Sequence, residues 1–260
     1  MIRYMRMNLS MVVADLDNTL LRSDKSISEY SKSVLTRCRA QGIKVVFATA
    51  RSTQAASRFT GMFEPDAFIG YGGALAYAGD TVICRMDIPA GLSYQLINEC
   101  LREPEISTVL AINETAAHTN RLDMLDTASS HYEITDFTVK NDLSYLKISV
   151  IASNPETVAR IASRYPTCDV LRYSGEDIYR FANRNAVKWN AVRFVADFYK
   201  ISTNSIVAFG DDVNDLEMIE FCGVGVAMAN AVDEVKAVAD HICDTNDNDG
   251  LAKWLELYVL

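Results

Sequence analysis

The sequence predicts an α/β protein: a doubly wound, mostly parallel sheet interrupted by an inserted α+β segment. Three observations predict it. Short apolar, β-branched runs alternate with amphipathic segments of helix length at both ends of the chain. The first of those runs, "MVVA", is apolar throughout, as a strand buried on both faces should be. Between residues 86 and 183 the alternation breaks, and afterwards it resumes.

The elements follow in order. "MVVA" is the first strand. The segment over 27–42 sets Tyr30, Val34, Leu35 and Cys38 at helical spacing, with Ser28 as N-cap and Gly42 as stop. "IKVVFA" is a second strand, "TQAASRFTG" a helix and "DAFIG" a third strand, followed by a hairpin around Gly79-Asp80. The insert reads as a helix over Leu92–Leu101, strand "STVLAI", a mixed polar section, strand "YLKISVIA" and helix "ETVARIASRY". Strands "CDVLRYS" and "DIYRFA" around Gly175 complete it. Helix "AVKWNAVRFVADFYK" then restores the alternation. Strand "SIVAF", helix "VNDLEMIEFC", strand "GVGVAM", helix "VDEVKAVA", strand "HIC" and a last helix near "LAKWLELYV" follow. The expected domains are therefore residues 1–85 with 184–260, and 86–183.

Composition narrows the function. The chain has 260 residues, 49% of them hydrophobic, enough to bury a real core. Its net charge is −9, its pI is about 4.9, and no basic block stands out, so a nucleic-acid partner is not expected. The six cysteines are scattered without a C-x-x-C pair, which suggests buried free thiols and neither zinc nor a disulfide framework. No secretory h-region and no run near the ~20 apolar residues of a membrane span is visible. The expectation is a cytoplasmic protein off the membrane, a monomer or a small homo-oligomer.

Three strands end in reactive groups. The first ends in Asp15-x-Asp17-x-Thr19, the second in Thr49-Ala50-Arg51, and "IVAF" in Gly210-Asp211-Asp212-Val213-Asn214-Asp215. Ligands of an open parallel sheet bind outside the carboxyl ends of its strands. If these strands are neighbours, Asp15, Asp17, Asp211 and Asp215 crowd one pocket, which no site supports without a cation. A hard divalent ion such as Mg2+ suits oxygen ligands beside a substrate phosphate. A carboxylate so placed can attack phosphorus, and a second can handle the proton. Thr49 offers a hydroxyl and a backbone N–H. Lys188, just inside a helix N-terminus, offers a charge that the helix dipole reinforces.

"DLDNT", "TAR", a lysine at a helix start and "GDDVND", in that order, resemble the four motifs of the haloacid dehalogenase-like phosphatases. "VGVAMANAVDEVKAVAD" and "DTNDNDGLA" resemble their Cof-type branch, whose members carry a large α/β cap where the insert lies. The resemblance implies Asp15 as nucleophile and metal ligand, and Asp17 as acid/base that also reaches the metal through its backbone carbonyl. It implies Thr49 and Lys188 as phosphate binders, Asp211 as a direct metal ligand, Asp215 as a supporting one through water, and Asn214 near the phosphate. Ala50 and Arg51 fall in the expected substrate-binding stretch. Trp189 stands where the family usually has glycine, and Gly72-Gly73-Ala74 where it often has Asn-Gly-Ala. The implied activity is Mg2+-dependent hydrolysis of a small phosphorylated metabolite such as a sugar phosphate. A phosphomutase of the same chemistry and a non-catalytic phosphate-ligand binder are the alternatives.

Plainer roles compete at several positions. Thr49 suits a helix cap as well as a phosphate ligand. Arg51 suits a substrate contact or a surface pair. Asp212 reads as a helix N-terminal residue, His118 and His131 as ordinary residues of the insert, and the aspartates of "DTNDNDG" as a turn that caps the last helix.

Overall fold

The structure, a computed structural model, describes residues 7–123, 125, 132–173 and 177–260. In chain order its elements open with β1 (Met11–Ala14), α1 (Glu29–Ala40), β2 (Lys44–Ala48), α2 (Thr53–Thr60), β3 (Ala67–Gly70), β4 (Leu75–Ala78) and β5 (Thr81–Arg85). The insert contributes α3 (Ala90–Leu101), β6 (Ile106–Ile112), β7 (Ala117–Thr119), β8 (Glu133–Ile134), β9 (Lys147–Ala152), α4 (Pro155–Ala162), β10 (Cys168–Arg172) and β11 (Ile178–Asn183). The chain then adds α5 (Lys188–Tyr199), β12 (Ile206–Gly210), α6 (Leu216–Phe221), β13 (Val224–Ala227), α7 (Asp233–Val238), β14 (His241–Ile242) and α8 (Gly250–Tyr258).

Two compact units result. The first holds the chain up to Arg51, Ala56–Cys84 and Val187–Leu260; the second holds Ser52–Ala55 and Arg85–Ala186. The first unit is built on an 8-stranded sheet in the order β14-β13-β12-β1-β2-β3-β4-β5. From β14 to β3 every pairing is parallel, and β4 turns back antiparallel to β3. The chain winds outward from β1 through β2 and β3, then returns to place β12, β13 and β14 on the other side of β1. The strand order therefore reverses at β1, where such sheets open a ligand crevice.

The alternation of β1 assigns its residues to two layers. Val12 and Ala14 pack with Val34, Leu35 and Cys38 of α1, Phe59 of α2 and Leu251, Ala252 and Leu255 of α8. Met11 and Val13 pack with Val192 and Val195 of α5, Met218 and Ile219 of α6 and Val235 of α7. With helices on both faces, the strand can carry no polar side chain until it leaves the sheet, which explains the unbroken apolar run.

The second unit has a 6-stranded, largely antiparallel sheet in the order β10-β11-β9-β6-β7-β8. Ile97 and Cys100 of α3, Val158 and Ile161 of α4, and Val109, Ile148, Val150 and Phe181 form its core. His118 is part of this fabric: its Nδ1 lies 3.0 Å from the Thr135 hydroxyl, and its ring meets the edge of Tyr145. His131 and the turn around Gly175 lie outside the described residues.

Most expected elements are present, with α1 capped as read: the Ser28 hydroxyl accepts from the Ser31 N–H. Three details differ. The polar section of the insert contains β7 and β8, whose short, mixed segments gave no periodicity. The helix expected from Val213 begins as a tight 3₁₀ turn over Val213–Asp215 and becomes α-helical at Leu216. Asp249 sits at the N-cap of α8, but its carboxylate pairs with Arg22 and accepts from Ser31, while Asp247 accepts from Ser23. These aspartates tie the C-terminal turn to an earlier loop. All six cysteines are free thiols; Cys38, Cys100, Cys168 and Cys222 are buried as read, while Cys84 and Cys243 are only partly so.

Asp66 anchors the entry to β2 and β3. It accepts from the Val45 N–H at 2.9 Å and pairs with Arg39 and Lys44 at 3.1 Å each. Burial pushes its carboxyl up, but these three donors outweigh burial and hold it below the ordinary range. A depressed carboxyl contributes stability above its unfolded value and loses it as pH falls through the folded one. We expect Asp66→Asn to cost about 1 kcal/mol at pH 7, an order-of-magnitude figure for a partly exposed charge. Urea unfolding should show the gap from wild type closing as pH drops below about 4. A gap of equal size at pH 7 and pH 3 contradicts this account.

Candidate active site

β1 delivers Asp15 to the carboxyl edge of the sheet, with its N–H still bonded to the Phe209 carbonyl at 3.0 Å. The chain then leaves the sheet in one wide turn over Leu16–Leu20, closed by the Leu21 N–H on the Leu16 carbonyl at 2.8 Å. Asn18 takes a left-handed conformation inside it (φ 55°), which asparagine tolerates better than most residues. The turn sends successive side chains in different directions. Thr19 points inward and donates to Asp211 at 3.0 Å. Asp17 points toward Arg51 and Lys25.

The centre of the site is a buried ionic cluster. Lys188 Nζ lies 2.6 Å from an oxygen of Asp15 and 2.6 Å from an oxygen of Asp215. The lysine is 3% exposed, Asp15 6% and Asp215 1%. Asp15, Asp211 and Asp215 can each present an oxygen within 4.8 Å of the others. Burial opposes the lysine's charge, but the two carboxylates outweigh it and hold its pKa above the usual value. Burial lifts Asp15 well above the carboxylate range against the pull of Lys188, with Asp215 and Asp211 adding repulsion. Burial and then Asp215 push Asp211 up to about 7, against the hydrogen bond from Thr19. One ammonium does not balance three carboxylates out of water. The donor set is all oxygen and short of positive charge, which fits a hard divalent cation.

The structure thus gathers three carboxylates here, where the sequence suggested four. Asp17 turns its own carboxylate outward, onto the Arg51 guanidinium at 2.6 and 2.7 Å and Lys25 at 2.9 Å. Burial works against its ionisation, but Arg51 and then Lys25 prevail and keep its carboxyl below the ordinary range. Arg51 is accordingly held by an acid of the site.

The second stretch also differs in detail. Thr49 is 1% exposed, and its N–H is spent on the Ile69 carbonyl at 2.8 Å. Its hydroxyl accepts from the Arg51 N–H at 3.1 Å, so the hydroxyl hydrogen is what it has left to donate. Ala50 lies half-buried between Thr49 and Arg51. Asp212 is the N-cap of the 3₁₀ turn, as its position suggested, and the Asp215 carboxylate accepts from the Asp211 and Asp212 N–H groups at 3.0 and 3.2 Å. Asn214 sits half-buried in the same turn.

Gly210 and Gly73, which carried no assigned role, hold this arrangement together with Thr19. A Cβ on Gly210 would stand 2.4 Å from the Asp215 Cβ, so only glycine lets Asp215 fold back over the strand. Gly73 has φ 104°, and a Cβ there would lie 2.4 Å from the Val187 carbonyl carbon and 2.8 Å from the Lys188 nitrogen. The Tyr71 and Gly72 N–H groups bond the Arg51 and Thr49 carbonyls at 2.9 and 3.0 Å. The "YGG" stretch therefore braces the second motif and the start of α5 together. Trp189 leaves the start of α5 regular and packs against Phe221 with ring centroids 5.9 Å apart and the rings tilted by 45°.

Gly73→Ala should displace the first turn of α5 and cost about 2 kcal/mol or more, because the residue needs positive φ and has no room. Gly79→Ala is the control: its φ is 53° but nothing lies within 4 Å of a Cβ there. Thermal unfolding should show a much larger fall in Tm for Gly73→Ala; equal falls would remove Gly73 from the brace.

A sequence profile of the haloacid dehalogenase-like hydrolases matches residues 12–255. A Haemophilus influenzae protein that carries a provisional phosphatase name is 30% identical over 94% of this chain and 96% of its own length. A Bacillus subtilis protein named 5-amino-6-(5-phospho-D-ribitylamino)uracil phosphatase is 26% identical over 95% of this chain and 97% of its own. The crystal structure of a haloacid dehalogenase-like hydrolase from Bacteroides thetaiotaomicron superposes with a TM-score of 0.81, at 25% identity over 95% of this chain and 98% of that one. Four motifs converging on one sheet edge and a profile spanning nearly the whole chain agree: this chain belongs to the haloacid dehalogenase-like hydrolases, in their Cof-type branch, and is an enzyme of the hydrolase class.

Proposed function

We propose that this hydrolase cleaves small phosphoric monoesters, with Mg2+ as its metal and Asp15 as the nucleophile. The observation that carries the reading is the cluster of Asp15, Asp211 and Asp215 around Lys188, buried and one cation short of balance. Asp15, Asp211 and the Asp17 carbonyl would hold the ion, with Asp215 behind them. When bound it would neutralise the carboxylates and the phosphate charge.

An Asp15 oxygen attacks phosphorus as the bond to the ester oxygen breaks. The electron pair leaves with that oxygen, which takes a proton that Asp17, ionised in the free protein, has first received from the monoanion of the entering ester, and departs as an alcohol. Water then attacks the aspartyl-phosphate, Asp17 accepts its proton, and the carboxylate of Asp15 is restored as phosphate departs. Lys188 and the Thr49 hydroxyl hold the phosphoryl oxygens. Arg51 and Lys25 orient Asp17, and the free protein presents it in its base form. Arg51, Ala50 and Asn214 face the phosphoryl group in this reading.

For the substrate we favour a sugar or polyol phosphate. The Bacillus subtilis relative is named for a phosphate on a ribityl chain, and a protein with the same fold is titled a subclass IIB sugar phosphatase. A panel of phosphate esters assayed with Mg2+ tests the reading. Asp15→Asn should abolish phosphate release, since an amide forms no acyl phosphate. EDTA should silence the wild type and Mg2+ restore it, with Ca2+ a poor substitute because it prefers more and longer bonds. Activity that survives exhaustive chelation would falsify the metal assignment.

Asp17→Asn should lose part of the roughly 10²–10⁴ in rate that proton transfer supplies. The loss should be large for an alkyl phosphate and small in the first step for 4-nitrophenyl phosphate, whose leaving group needs no proton. Rapid-quench measurement of the first turnover separates the two; equal losses on both esters would remove the acid role from Asp17.

A further inference from the structure

The turn over residues 244–249, between β14 and α8, has no part in the reaction above. Three of its side chains nevertheless reach across to one short stretch near the other end of the chain. Asn246, itself buried, donates to the Leu21 carbonyl at 2.9 Å. Asp249 accepts from the Arg22 guanidinium through both oxygens, at 3.2 and 2.5 Å. Asp247 takes both donors of Ser23, the N–H at 2.8 Å and the hydroxyl at 2.7 Å. Leu21, Arg22 and Ser23 are thus held in succession by residues more than two hundred positions away.

Lys25 lies just beyond this anchor. Its N–H bonds the Arg22 carbonyl at 2.8 Å, and the Arg22 N–H bonds the Ser26 carbonyl at 3.0 Å, which closes residues 22–26 on themselves. Asp24 tightens the same loop by accepting from the Ser26 N–H at 2.9 Å and the Ser26 hydroxyl at 2.6 Å. Lys25 takes a left-handed backbone, φ 64°, which a lysine adopts only where its surroundings impose it. The loop so formed aims the Lys25 ammonium at Asp17, 2.9 Å away. Both side chains are partly exposed. A pair of this kind ordinarily gains little, because a long side chain must be ordered to form it. Here the backbone beneath the lysine is already fixed, so less freedom is lost when the ammonium settles on the acid.

We propose that the turn over 244–249 is a positioning element for Asp17, acting through Ser23 and Lys25. It bears on the step assigned above to Asp17, and so rests on that reading. Asp247 and Lys25 are positioning residues: they leave the phosphoryl group alone and are felt only where Asp17 moves a proton. Arg51 also holds the Asp17 carboxylate and remains when Lys25 is lost, so the variants are slowed and not silenced.

Rapid-quench first turnovers of the full chain with Mg2+ test it, on 4-nitrophenyl phosphate and on the alkyl phosphate that wild type cleaves fastest. On the alkyl ester Lys25→Met should be slowed about tenfold and Asp247→Ala about threefold, and on the nitrophenyl ester each less than about twofold. Lys25→Arg should recover most of the rate. Lys25→Met/Asp247→Ala should be no slower than Lys25→Met, because Asp247 acts through the lysine. Asp247 is exposed, so its loss leaves the core intact; Ser23→Ala, which removes only a hydroxyl, should shift the rates in the same direction. Asp66→Asn also breaks partly exposed ion pairs, but at the entry to β2 and β3, and should lose stability without any contrast between the esters. Asp17→Asn is the reference. Equal losses on both esters for Asp17→Asn overturn the acid role and this proposal with it. The proposal alone is overturned if Asp17→Asn keeps the contrast while Asp247→Ala slows both esters equally or neither, or if the double variant loses the product of the two single losses.

Discussion

The site depends on one lysine held among three buried carboxylates. Lys188 touches Asp15 and Asp215 at 2.6 Å each, with Asp211 close by and water largely excluded. Such a group is tolerable only if its charges are held where they offset one another. The offset is incomplete, as the raised Asp15 and Asp211 carboxyls record. That imbalance makes the site receptive to a further cation. A nearby phosphoryl group would then meet concentrated positive charge instead of bare carboxylates.

The neighbouring structure keeps that cluster from relaxing apart. The Asp215 carboxylate is fixed by two backbone N–H groups, and Gly210 leaves room for it. Thr19 holds Asp211 from the opposite side. Gly73 lets a loop close against the first turn of α5, so that Lys188 starts its helix at the right height. The loop beyond Asp15 is pinned in its turn: Asn230 donates to the Asn18 carbonyl, and Asn246 donates to the Leu21 carbonyl. These contacts are short-range, directional and mostly to backbone. Side chains must be held this closely if a nucleophile is to meet phosphorus in line.

α5 shows how one helix divides its duties by face and by end. Its N-terminus presents Lys188 to the acids, and its inner stripe seals one layer of the sheet. Its outer face carries the charged Arg193 and Asp197 beside two half-exposed phenylalanines, Phe194 and Phe198.

Much of this protein is legible in its sequence. Unbroken apolar strands identify a sheet covered on both faces, and reactive residues just beyond three of them mark its carboxyl edge. Both are local patterns of the kind that burial and strand geometry impose directly. β7, β8 and the 3₁₀ turn at Val213 left no such trace, because they are too short for any period to register. The direction of each side chain was also hidden. Asp17 lies two residues from Asp15, yet the left-handed Asn18 and the wide turn aim it at Arg51, 34 residues away in sequence. The Thr49 N–H, free on paper, is taken by the neighbouring strand. The partnership of Lys188 with Asp15 spans 173 residues. Composition and spacing determined which groups the chain brings to its chemistry. Only tertiary structure decided which groups meet, because a side chain's partner is set by the packing of elements that the sequence places far apart.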